Sequence, residues 1–98
     1  MAYHLYAPRH TAALYLAWEY GVRIANNALR EYPRDERGWI DLSASTALQI
    51  FSKRHRGYAI PTRRAAERAK ARVAIAVAYL EGRLGHPLTG GLVEIQER

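Results

Sequence analysis

Apolar residues recur at helical spacing along the first third of the chain. Ala13, Leu14, Ala17, Trp18, Gly21, Val22, Ile24, Ala25, Ala28 and Leu29 fall on one broad face, while Glu19, Arg23, Asn26 and Arg30 share the opposite stripe. The pattern predicts one surface helix from residue 8 or 10 to residue 31. Tyr32-Pro33 ends it, because a residue before proline is pushed out of the helical region. Residues 34–38 read as a polar loop and 39–42 as a short extended entry. Asp41 or Ser43 is placed to cap a second helix reaching about residue 56, with Ala44, Ala47, Leu48 and Phe51 on its apolar side, His55 at the margin and Gly57 just past its end.

Tyr58 to Ile60 must be extended ahead of Pro61, and Thr62 caps a third helix that runs to Leu84 and stops at Gly85, before His86-Pro87. This helix changes along its length. Ala65, Ala66, Ala69 and Val73 form a stripe among Arg and Lys in its first half, whereas residues 73–80 are apolar on every side. A helix apolar all round must be covered all round, so a second subunit is expected over Ile75 and Tyr79, on the flank opposite Val73 and Val77. At the two ends, residues 3–6 and 92–96 are rich in strand formers and are able to pair. The fold expected is therefore all-α: one domain over residues 1–98 with three main helices, short terminal β segments as an option, and a homodimer through the third helix. Trp18, Leu14, Leu29, Leu48, Phe51, Val77 and Leu80 are its expected core.

Charge sharpens this picture. From Lys53 to Arg72 the chain carries eight cations against Glu67 alone, a net +7 that exceeds the formal +6 of the whole protein. Arg64, Arg68 and Arg72, spaced four apart, make a stripe about 12 Å long on a helix, flanked by Arg63 and Lys70. Lys53, Arg54 and Arg56 extend it. Like charges at that spacing destabilise a helix by about 0.2–0.5 kcal/mol per pair, which argues for an anionic partner. The plainer reading is that these arginines are solvated or paired with Glu19, Glu31, Asp35 or Asp41. Arginine outnumbers lysine 13 to 2, which suits phosphate and base contact but also follows from a GC-rich genome.

The expected function is nucleic-acid binding, DNA ahead of RNA, with Lys53, Arg54, Arg56, Arg63, Arg64, Arg68, Lys70 and Arg72 on phosphates. The alternative is a protein-interaction module or phage-type inhibitor that docks the same face on an acidic protein. A helix-turn-helix fits badly, since Gly57 at the turn would set Lys53, Arg56 and Arg63 at positions that need small or apolar residues. The four histidines have no metal-ligand spacing, and no phosphate loop or nucleophile motif occurs, so no enzyme and no cofactor are implied. Cysteine is absent, which excludes disulfides and thiolate chemistry. The start of the chain lacks a secretory pattern, and its longest apolar run, eight residues, is far short of the ~20 that span a membrane. These features predict a soluble, unexported protein of the cytoplasm or of a virion.

Overall fold

The computed structural model describes residues 2–45, 60–84 and 93–97. Its centre is a strand, β1 (Tyr3–Ala7), whose last three residues, Leu5, Tyr6 and Ala7, are all buried, while Tyr3 and His4 are half-buried. β1 pairs antiparallel with β2 (Ile40–Asp41) on one edge and with β3 (Glu94–Glu97) on the other, giving the order β2-β1-β3. Tyr3 also exchanges both backbone hydrogen bonds with Ile60, each 2.8 Å. The all-α expectation is thereby overturned: the fold is mixed α/β, with the two ends of the chain hydrogen-bonded to each other. Register puts Leu5 opposite Ile95 and Ala7 opposite Ile40, so one sheet face is aliphatic and faces the helices.

The predicted first helix is two helices, α1 (Arg9–Tyr20) and α2 (Val22–Glu31). Gly21 separates them at φ 85° and ψ 161°, a conformation open to glycine alone. Its N–H closes α1 on Ala17 O (2.9 Å), and its carbonyl accepts from Ala25 N (3.0 Å) to start α2. The break changes which residues are buried. α1 buries Thr11, Ala12, Tyr15 and Leu16, and α2 buries Ala25, Ala28 and Leu29, while Trp18, Val22 and Ile24 are 50%, 68% and 54% exposed. Trp18 is thus removed from the expected core. Leu14 and Leu80 are only partly buried, Leu29 and Val77 are buried as expected, and Leu48 and Phe51 lie outside the described residues.

After α2, Pro33 ends the helix and Asp35 organises the turn by accepting from the N–H groups of Arg37 and Trp39, both at 3.0 Å. Arg37 lies 3.8 Å over the Trp39 ring and donates to Asp35 and to Glu94 of β3, latching this loop to the sheet. Asp41 then caps a single 3-10 turn, Leu42–Ala44, by accepting from Ser43 N at 3.0 Å. The remainder of the expected second helix lies outside the described residues. Thr62 caps the long helix α3 (Arg63–Leu84) as expected, its Oγ accepting from Ala65 N at 3.1 Å. Ala65, Ala66, Ala69, Val73, Ala76 and Val77 are its buried stripe, and the many alanines let α3 lie close against α1, β1 and β3.

Candidate functional site

At about 100° per residue, Arg64, Arg68, Ala71, Ile75 and Tyr79 lie within an arc of about 80° on the outward side of α3. That face is cationic at its start and apolar further on. Arg64 and Arg68 are exposed, and among the described residues neither has an ion-pair partner. Arg63 lies on a neighbouring flank and pairs with Glu67 at 3.4 Å, both side chains being more than half exposed. Lys70 is half-buried on nearly the opposite side of the helix from Arg68, so it does not share the stripe. Lys53, Arg54 and Arg56 lie outside the described residues.

Arg72 has a different position from the one its spacing suggests. Its Nε and Nη2 donate to Glu19 Oε1 of α1 at 2.8 and 2.7 Å, and the Tyr15 hydroxyl donates to the same oxygen at 3.1 Å. The hydrogen bond to Glu19, then that to Tyr15, holds the Arg72 guanidinium above its usual range. Burial first and the Glu19 carboxylate second push the Tyr15 phenol up as well. Both groups therefore keep one protonation state throughout the physiological range. The trio pins α3 to α1 and leaves Arg72 ion-paired, unlike Arg64 and Arg68.

Beside this tie is an open groove of about 720 Å³ lined by Trp18, Arg68, Ala71, Arg72, Ile75, Ala76 and Tyr79. Trp18 and Tyr79 meet edge to face at 5.4 Å and 66°. Ile75 is 71% and Tyr79 49% exposed. The expected requirement for a two-fold lid is relaxed for a physical reason. Three of the eight residues at 73–80 are alanines, only Ile75 and Tyr79 are exposed, and Trp18 of α1 already leans on Tyr79. Dimerisation is thus no longer required by the folded chain. Sequence reasoning missed Trp18 as a surface residue. The signal was the pattern Thr11, Ala12, Tyr15, Leu16, which already makes a complete buried stripe and leaves Trp18 at its edge.

A second cluster collects a Ser, a His and an Asp. His4 Nδ1 is 2.8 Å from Asp41 Oδ2 and 3.2 Å from Ser43 Oγ, and Ser43 Oγ also donates to Asp41 Oδ1. A nucleophilic triad needs the serine on the imidazole nitrogen opposite the carboxylate. Here both contacts fall on Nδ1 and Ser43 is fully buried, so the cluster ties β1 to β2. Among the described residues no group of three His, Cys, Asp or Glu is disposed to hold a metal, and no helix is long and apolar enough to cross a membrane. No family model matches the chain, and no curated protein or solved structure is significantly similar to it.

Proposed function

We propose that this protein binds nucleic acid through phosphates laid along the outward face of α3. The observation that carries the reading is the pair Arg64 and Arg68, exposed, one turn apart and without an acidic partner among the described residues, inside a twenty-residue segment of net +7. An exposed guanidinium offers a planar fork for phosphate oxygens, and a run of them raises the local concentration of a polyanion. Arg63 supports the pair from its flank, since an exposed ion pair such as that with Glu67 is worth little and gives way to a phosphate.

Fluorescence anisotropy with labelled oligonucleotides across a salt series tests this. If Arg63, Arg64 and Arg68 are joined by one or more of Lys53, Arg54 and Arg56, log K should fall against log salt with a slope of about −3 or steeper. The double variant Arg64→Ala, Arg68→Ala should flatten the slope by about 1.4–1.8. Absence of salt-sensitive binding to any strand or duplex at low salt would end the nucleic-acid reading and leave an acidic protein surface as the partner.

A further inference from the structure

Duplex and single-stranded nucleic acids present the same phosphates, but only an unpaired strand offers free base faces. The surface next to Arg64 and Arg68 discriminates between them. Four of the seven side chains that line the groove carry planar π systems: Trp18, Tyr79, Arg68 and Arg72. Ala71 and Ala76 are too short to obstruct it, and Ile75 supplies one aliphatic contact. The volume of about 720 Å³ lies in the range of roughly 300–1,000 Å³ typical of sites for small organic groups. We infer that this groove receives unpaired bases of a single strand whose phosphates lie on Arg64 and Arg68, an inference that rests on the nucleic-acid reading above.

A duplex laid along Arg64 and Arg68 would bring sugars and phosphates over Trp18, Ile75 and Tyr79, removing charge from water against apolar groups with no contact in return. A single strand carries charge and a π face within each nucleotide, which matches a surface that is cationic at one end and aromatic at the other. The Arg72–Glu19 tie fits the same purpose. Glu19 and Tyr15 engage N–H groups along one edge of the Arg72 guanidinium, which holds its plane in place beside the groove with a flat face that stacks on planar rings. A second copy of the chain is a poorer occupant, because a two-fold contact on Ile75 and Tyr79 would set Arg68 of each copy in one interface. An acidic amphipathic helix satisfies the charges, but one with aliphatic anchors would leave the planar walls of this groove without ring partners.

The chain has two tryptophans, so Trp39→Phe leaves Trp18 as the sole indole reporter. Titration of that variant with an oligodeoxythymidylate at low salt should quench Trp18 emission saturably, and the single strand should bind at least about tenfold more tightly than a duplex of equal length. Trp18→Ala and Tyr79→Ala, at half-exposed positions and checked for folding by circular dichroism, should each weaken single-strand binding by about 5- to 100-fold and leave duplex binding unchanged. Salt-dependent binding of equal strength to both forms, with Trp18 emission unmoved, would overturn the groove as a base site while keeping the phosphate contacts. No binding to either form would overturn both. A dimer abolished by Ile75→Asp, or an acidic amphipathic peptide that quenches Trp18 where the single strand does not, would reassign the groove to a protein and likewise overturn the inference.

Discussion

Arg68 and Arg72 lie one turn apart on α3, yet among the described residues only Arg72 has an ion-pair partner, because Glu19 reaches it from a position 53 residues earlier in the chain. Glu19→Gln separates the two roles. It weakens the hold on Arg72 and should steepen the salt dependence of nucleic-acid binding by about 0.7–0.9, one further phosphate, whereas Arg72→Ala should leave the slope unchanged. Asp35 offers a pH test at the same scale. Burial would raise its carboxyl, but hydrogen bonds from the Arg37 side chain and from the N–H groups of Trp39 and Arg37 outweigh this and hold it below its ordinary value. The Arg37 bond likewise lowers Glu94. A carboxyl lowered in the folded state binds fewer protons there than in the unfolded chain, so its stabilisation is present above the unfolded value of about 4 and fades as pH falls through the folded value. Urea midpoints measured from pH 6 down to pH 3 should fall more steeply for the wild type than for Asp35→Asn.

At the scale of elements, Gly21 sets the arrangement of the helical layer. Nothing lies within 4 Å of where its Cβ would sit, so Gly21→Ala meets no steric obstacle and its cost is that of the backbone alone at φ 85°. The expected loss is about 1–3 kcal/mol by urea unfolding, and a neutral result would mean that the α1–α2 junction relaxes into a continuous helix. This junction also shows what the sequence hid. Periodicity runs through residue 21 because Ala17, Trp18, Val22 and Ala25 keep helical phase across it, and a lone glycine is tolerated within a helix. Once the break is in place the buried stripe is Thr11, Ala12, Tyr15 and Leu16, and Trp18 moves to the rim of the groove. Elements with local punctuation were legible. Thr62 marked the start of α3, Asp41 marked a cap, and the strand formers at both ends marked a pairing that the structure contains; the expected stop at Gly85 lies outside the described residues. β2 has only two residues, too few for an alternating pattern, so the sheet read as optional and the fold as all-α. The stripe of Arg64 and Arg68 followed from spacing alone. The partner of Arg72 did not, since four acidic residues were equally eligible until the tertiary fold chose one.

Across the whole molecule, the first and last strands are the seam on which the layers depend. β1 meets β2 over two residue pairs and β3 over four, from Tyr3 with Glu97 to Tyr6 with Glu94. β3 also carries Ile95 opposite Leu5, is preceded by the buried Val93, and receives the Arg37 latch through Glu94. Removing residues 93–98 would therefore strip one whole edge of β1, open the core beside the fully buried Leu5 and release the loop that carries Trp39. Burying one aliphatic side chain is worth about 1.5–3 kcal/mol, and a small domain has about 5–15 kcal/mol in total, so losing Val93 and half-buried Ile95 with four strand pairs takes a large share. The shortened chain should unfold at clearly lower urea than the full chain, and its bare β1 edge should associate at micromolar concentration, seen as light scattering. If the 1–92 chain keeps the wild-type midpoint, β3 is an ornament on a helical domain and the mixed sheet does not carry the fold. If it is destabilised but still binds nucleic acid with an unaltered salt slope below its unfolding temperature, the binding face on α3 is shown to need only the α1–α3 contact fastened by Tyr15, Glu19 and Arg72.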